Sequence, residues 1–438
     1  MRRIAFVLAI LAALPVRAEI LKLAEAQEQL LKNNLDILAA EAELEKAGNE
    51  LDEANSAWWP SLDASASYHY LSKKNKIFLN LSELNPSLPP DSIREMTMGA
   101  NDRAEFGLDI AYPFFTGFSR YYAVAGRKEA VASKGAALDA VKNRASLALG
   151  LLYFQWELSH KQTVLRRTLV EQLETYTKQV AAQREAGTVL QSKLLDARAR
   201  LQLAKVDLAA AADQTDSLRR ELMSFILSKE QSSAPDTAGS TMLDTLPIPK
   251  AARTERPEIL ALDHASAQIE KMRQALRYRH FPSLFGTAGL RYGRPGLNMG
   301  ADIDDYMGWG LVGVQLTWNL FNGFRTRADD ALLQRQIDLI NIERTRQIET
   351  IQRTFECAKR QVTSTADRLA ACEAAREAAR ALTADLRNSL AAGTVTAADY
   401  LDALVKQAQA ELLVEQAKTI KKSAVLRMWF AAGKTIKY

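Results

Sequence analysis

Cysteine and histidine are scarce in these 438 residues, and what is missing excludes much. The 2 cysteines, Cys357 and Cys372, lie in one helical pattern, ~22 Å apart at the α-helical rise. That is beyond disulfide reach, so both read as packing residues. The 4 histidines (69, 160, 264, 280) are scattered without ligand spacing, which argues against a metal site. No GxxxxGK[ST] loop, nucleophile elbow or metal-spaced His/Cys set occurs, so no catalytic or cofactor-binding reading has support. The Gly-rich stretch 289–308 joins two strands and does not open a helix, which disqualifies it as a nucleotide loop. Its Asp302, Asp304 and Asp305 read as solvated acids. Beyond residue 18 no apolar run approaches the length of a membrane-spanning helix.

An excess of one charge is also lacking. The net charge is +5, but residues 1–18 carry Arg2, Arg3 and Arg17 and no acid, so removing them leaves +2. Those residues read as a signal peptide: a positive start, an apolar stretch from Ile4 to Leu14, and Val16-Arg17-Ala18 as a small-x-small cleavage site. Cleavage is expected before Glu19, with no cysteine at the cut to carry a lipid. Mixed charge along the remainder gives no case for a nucleic-acid partner.

What is present is a repeat. Gly187-Thr188-Val189 recurs as Gly393-Thr394-Val395, and "YPFFTGF" (112–118) maps on "WNLFNGF" (318–324), both at an offset of 206. Upstream, "WPSL" (59–62) maps on "FPSL" (281–284) at an offset of 222, so one insertion of 16 residues lies in the first half. The Pro/Ser/Asn-rich segment 78–92 is its expected place, as a loop. An internal duplication follows. After the signal peptide (1–18), one repeat spans 19–240 and the other 241–438.

Each repeat reads as helix, strand, strand, long helix, turn, helix. A first helix is expected over about 22–57 and its counterpart over about 255–280, both ending before a proline, Pro60 and Pro282. Long helices are expected over about 118–185 and 324–391. Ile348, Ile351, Phe355, Ala358 and Val362 advance by threes and fours, the seam of a coiled coil. From Gly117 to Gly187, and from Gly323 to Gly393, the helical rise gives roughly 105 Å. Helices of that length suit a chain that must cross a distance. The helical turns are expected at about 185–196 and 391–402, and 228–240 reads as a polar linker.

Strands are expected over about 61–71, 103–115, 283–293 and 309–319. In "RAEFGLDIAY" (103–112), Ala104, Phe106, Leu108, Ile110 and Tyr112 face one way and Arg103, Glu105, Gly107, Asp109 and Ala111 the other. "SLDASASYHY" (61–70) and "WGLVGVQLTW" (309–318) alternate likewise; in "SLFGTAGLRY" (283–292) Phe285 breaks the pattern. Runs of about ten residues with aromatic ends suit transmembrane strands, although half-buried strands of a soluble sandwich share the alternation. Four strands cannot close a barrel, since about eight are needed. Open edges are not tolerated in lipid, so a membrane reading requires several chains to share one barrel.

The duplicated half, the Pro-Ser-Leu strand entry, the FxGF strand exit (Phe115–Phe118, Phe321–Phe324) and the paired GTV…LDA turns together resemble the TolC-like outer membrane efflux protein family, over essentially the whole chain after the signal peptide. The resemblance implies an α+β membrane protein: a trimeric outer-membrane β-barrel with four strands per chain, continued by a long α-helical coiled-coil tunnel through the periplasm. It implies a passive exit duct of a tripartite efflux or type I secretion system, partnered by a periplasmic adaptor and an inner-membrane transporter and surrounded by outer-membrane lipid. By motif match, Gly187, Thr188, Val189 and Ser192, with Gly393, Thr394, Val395 and Ala398, form the adaptor-binding tip. Asp399 and Asp402, three residues apart on one helix face, match the acidic pair at the pore constriction.

The chain departs from the family pattern at the closed-state latch. Leu390 and Val395 stand where a tyrosine and an arginine are expected, and Lys193 replaces an acid at the repeat position of Asp399. Lys193 is therefore expected near Asp399 at the constriction. The rival reading is a periplasmic coiled-coil scaffold or adaptor that never enters a membrane; the four alternating strands argue against it. The exported substrate is left open.

Overall fold

The computed structural model describes residues 20–438 except 74, 83–86, 88, 91, 99–100, 229–233, 237–248, 250, 254, 295–304 and 393. The expected signal peptide (1–18), Asp302, Asp304 and Gly393 lie outside the described residues. The elements of the first half are β1 (Ile20–Leu21), α1 (Leu23–Asn33), α2 (Leu35–Ser56), β2 (Ser61–Tyr70), β3 (Asn75–Asn80), β4 (Ile93–Met98), β5 (Asp102–Phe115), α3 (Ser119–Glu185) and α4 (Gln191–Phe225). They are followed by β6 (Ala234–Pro235), α5 (Pro257–Tyr278), β7 (Ser283–Arg294), β8 (Met307–Thr317), α6 (Arg325–Ala391) and α7 (Ala397–Ala431). The helices α3 and α6 are 67 residues each, and α4 and α7 are 35 residues each. Contacts divide the chain into two units that each draw on both halves of the sequence: Met1–Leu44, Lys134–Ala261 and Glu343–Tyr438; and Glu45–Ser133 with Leu262–Ile342.

The second of these units holds a four-stranded antiparallel sheet in the order β2-β5-β7-β8. The β5–β7 pairing stitches the first half of the sequence to the second, with Gly107 opposite Arg291 and Leu108 opposite Leu290. Strand alternation puts Leu62, Phe106, Ile110, Leu290, Val312, Val314 and Leu316 on one face, and all are exposed, Val312 at 88%. Every residue of β2 is exposed as well. The sheet thus has no core of its own on that face, and its outer strands β2 and β8 have no strand partner on their far sides among the described residues.

Each long helix starts from a strained turn. Gly117 and Phe118 have φ of 61° and 65°, and Gly323 and Phe324 have 66° and 65°. Left-handed backbone is ordinary for glycine but costly for phenylalanine. Ring packing holds it in the first copy: Phe118 lies edge-on to Phe115 and to Tyr278, which stacks on Tyr122 with centroids 4.9 Å apart. The second copy keeps the Phe321–Phe324 edge contact.

The segment 78–92 is not wholly a loop. Residues 78–80 belong to β3, which pairs with β4 as a hairpin, Phe78 opposite Glu95 and Lys76 ion-paired with Glu95. Apolar Phe78 and Leu79 at the start of the polar run supply the strand character that the Pro/Ser/Asn content of the following residues obscures.

The other unit is helical and built on three clusters. The largest gathers Tyr153, Phe154 and Trp156 of α3 with Leu30, Ile37, Leu222, Ile226 and Leu426. In another, Phe355, Ala358 and Val362 of the coiled-coil seam pack on Ala424, Met428 and Ala431 of α7. The expected first helix is broken once, at the buried Asn34. Its Oδ1 accepts from the amides of Asp36 and Ile37, capping α2, while its Nδ2 donates to the Phe225 carbonyl at the end of α4. The expected linker 228–240 is not wholly linker either, since Ala234-Pro235 pairs in parallel with Ile20-Leu21 and the Tyr153 hydroxyl donates to the Leu21 carbonyl. Cys357 and Cys372 are free thiols.

The two strand-to-helix glycines differ in surroundings. A Cβ on Gly117 would lie 2.5 Å from the Tyr278 carbonyl oxygen and 2.6 Å from Phe281 Cβ, whereas one on Gly323 meets nothing within 4 Å. Gly323→Ala should therefore cost about 1–2 kcal/mol, the left-handed backbone penalty, and Gly117→Ala clearly more. Melting of the strand circular dichroism signal in detergent checks this, and equal losses for the two would contradict it.

Candidate functional site: the paired helical turns

Both helical hairpins turn by the same chemistry. After α3, Gly187 adopts φ of 73°, the Gly187 amide donates to the Arg184 carbonyl, and the Thr188 amide and hydroxyl both donate to the Gln183 carbonyl, at 3.0 and 2.8 Å. This wraps the last carbonyls of the helix as a Schellman-type stop does. After α6, the Thr394 amide and hydroxyl both donate to the Ser389 carbonyl at 3.0 Å. At the first turn Gly187 permits the left-handed backbone, and at both turns threonine adds a second donor to the same orphan carbonyl.

The two turns restart their helices differently. Leu190 caps α4 without a side-chain bond and is 73% exposed. Thr396 caps α7 with a reciprocal capping box: its hydroxyl donates to Asp399 Oδ2 at 2.6 Å, its amide donates to the same oxygen at 3.2 Å, and the Asp399 amide donates back to the hydroxyl. Those two bonds hold the exposed Asp399 carboxyl below the usual aspartate range, hydroxyl first and amide second, and the charge of Lys193 adds to them. No direct ion pair joins Lys193 to Asp399; Lys193 acts through space.

Asp402 has a partner that the sequence reading missed. Arg200 of α4 donates from Nη1 to Asp402 Oδ1 at 2.6 Å and from Nε to Asp196 Oδ2 at 3.1 Å. One guanidinium therefore ties the LDA segment of one hairpin to that of the other. The signal was available only in half: Asp196 and Arg200 are four apart on one helix face, but the reach to Asp402 spans 202 positions. Beneath the clamp, Leu401 and Leu404 of α7 join Val180, Leu194, Ala197 and Leu201 in one buried cluster, so the two turns share a core.

Of the expected site residues, Gly187, Thr188, Ser192, Lys193, Thr394, Asp399 and Asp402 are exposed, and Val189, Val395 and Ala398 are half-buried. Gly393 is outside the described residues. The described residues hold no cluster of His, Cys, Asp and Glu able to bind a metal, and no helix among them is long and apolar enough to cross a membrane.

The cap has a pH signature. A carboxyl depressed in the folded state stabilises fully at neutral pH, and that contribution is lost as pH falls from the ordinary aspartate range through the folded value. Amide protection factors in the first turn of α7, taken against the intrinsic exchange rate at each pH, should fall across that acidic window. Thr396→Ala should weaken the turn by about 1 kcal/mol and flatten the pH dependence. An unchanged acid response in that variant would show that the cap does not govern the turn.

Comparison with known proteins accords with this architecture. No curated protein matches the sequence significantly. The chain resembles the CmeC outer membrane channel of Campylobacter jejuni at 16% identity and a TM-score of 0.72, covering 95% of this chain and 86% of that one. It resembles the open state of the MtrE outer membrane channel of Neisseria gonorrhoeae at 17% identity and a TM-score of 0.73, covering 95% and 89%. The outer membrane protein VceC of Vibrio cholerae matches at 16% identity and a TM-score of 0.68, covering 94% and 96%. At these identities the likeness speaks for the fold. The family model described as outer membrane efflux protein matches residues 26–226 and 248–434, nearly the whole chain, which therefore belongs to the outer membrane efflux protein family and is an outer-membrane channel with a helical periplasmic part.

Proposed function

We propose that the chain is the exit duct of a tripartite efflux or type I secretion system, working as a homotrimer whose twelve strands close one barrel. The observation that carries this is the four-stranded sheet with an exposed apolar face and two open edges. Lipid offers no hydrogen bonds to an edge strand, so β2 of one copy must pair with β8 of the next. Three copies exceed the roughly eight strands that closure needs. Equal helix lengths in the two halves support the duplication, with repeats at 19–240 and 241–438 after a cleaved segment 1–18. Helices of 67 residues reach about 100 Å, a length suited to a periplasmic tunnel.

In this reading the two turns are the periplasmic tip. Gly187, Thr188, Val189 and Ser192, with Gly393, Thr394, Val395 and Ala398, offer a small, partly apolar surface on which the helical hairpin of a periplasmic adaptor docks, and the adaptor links the duct to an inner-membrane transporter. Asp399 and Asp402 of three copies ring the constriction, where close carboxylates give a strong cation-attracting field. Lys193 tempers that field at Asp399, and Arg200 tempers it at Asp402 while holding the two hairpins of a protomer together. The chain itself passes cargo and catalyses nothing.

The protein should leave the membrane only in detergent, run as a heat-modifiable trimer, and conduct in planar bilayers. A water-soluble monomer would refute the duct. Asp399→Ala with Asp402→Ala should raise conductance and abolish block by divalent cations. Arg200→Gln, which unclamps Asp402, should strengthen that block. Block indifferent to both changes would remove the acidic ring.

A further inference from the structure

The polar face of the sheet carries a second charge cluster, at the seam where β5 meets β7. Arg291 on β7 lies opposite Gly107 on β5, with Glu105 and Asp109 two positions away on either side. Its guanidinium reaches both, Nε to Glu105 Oε1 at 3.1 Å and Nη2 to Asp109 Oδ1 at 2.8 Å. Such a span needs the side chain to lie flat along the strands instead of standing away from them.

Glycines make the room. A Cβ on Gly107 would lie 2.7 Å from Arg291 Nη1 and 2.8 Å from Ser65 Oγ. A Cβ on Gly289, opposite Asp109, would lie 2.9 Å from Asp109 Oδ1. A side chain larger than hydrogen at either position displaces the charged groups, so the notch and the clamp form one device. It also has a reason to exist: Asp63 of β2 stands directly opposite Asp109, a like-charge pair that destabilises a ladder unless a cation sits nearby.

We propose that Arg291 is a selectivity-determining residue of the barrel bore, setting how strongly the wall attracts cations. This rests on the reading of the sheet as one third of a barrel with its polar face inward. In the trimer the three copies of Glu105 and Asp109 form an acidic belt, and three guanidinium groups lying in the wall offset half of its charge without narrowing the passage. With half of the belt's charge offset, anionic and zwitterionic solutes meet a lower electrostatic barrier than bare carboxylates would impose.

The test is the reversal potential of trimers in planar bilayers under a KCl gradient, in an Asp399→Ala/Asp402→Ala background so that the tip acids do not dominate. Arg291→Gln should raise the permeability of potassium over chloride several-fold. The triple change Glu105→Gln, Asp109→Asn and Arg291→Gln removes both acids together with the arginine and should bring the ratio below that of the background. An unchanged ratio in conducting Arg291→Gln trimers overturns the proposal and leaves the duct standing. A triple variant as cation-selective as the single one also overturns it, since the effect would then be one of shape. Failure of the background protein to conduct at all defeats the duct reading itself, and this proposal with it. If Arg291→Gln alone does not assemble, the triple variant decides: assembly with a ratio below the background supports charge control at the seam, and a ratio equal to or above the background overturns it.

Discussion

Backbone hydrogen bonding in lipid is the constraint on which the rest depends. A strand edge in water is solvated, but in hydrocarbon each unpaired amide and carbonyl costs several kcal/mol. Among the described residues this chain presents two such edges, β2 and β8, beside an exposed apolar face. The proposed closure with further copies inside a membrane answers both demands. The same residues would be a liability in a soluble protein, where an exposed apolar edge strand invites aggregation.

Charge in this protein is repeatedly held by an arginine that answers two acids. Arg200 joins Asp196 and Asp402, and Arg291 joins Glu105 and Asp109. Arg273 and Arg277 reverse the arrangement, converging on the single carboxylate of Asp330. The planar, multi-donor guanidinium suits such bridging better than a lysine's single ammonium. A bridged acid contributes less free field than its count suggests, so counting carboxylates overstates the negative potential at the turns. Asp399 differs because its partners are a hydroxyl and an amide, which stabilise the charge without cancelling it.

Much of the fold was legible because it is periodic. Alternation of two marked all four strands of the sheet, and of the three-four seam at Ile348–Val362 the part from Phe355 to Val362 is buried. The exceptions are places where a single side chain overrode a local pattern. Asn34 sits in a strongly helical run, yet its amide finds a better use capping α2 and the end of α4, so the helix breaks there. Phe78 sits in a Pro/Ser/Asn-rich stretch yet extends as β3, because a facing strand exists to pair with it. Neither competitor is visible without the partner.

The sequence by itself determined the strand faces and the stopping points of the long helices, because each depends on residues within one turn or one strand. The Gly-Thr turn and the Thr396–Asp399 box belong here, since both close within five residues. Only the tertiary structure decided that β5 pairs with β7, that Asp402 belongs to Arg200, and that Gly107 makes way for Arg291. These contacts join positions far apart in the chain. Which of many possible cations answers a given carboxylate is set by packing that brings two backbones together, and a period of two or of 3.6 carries no record of it.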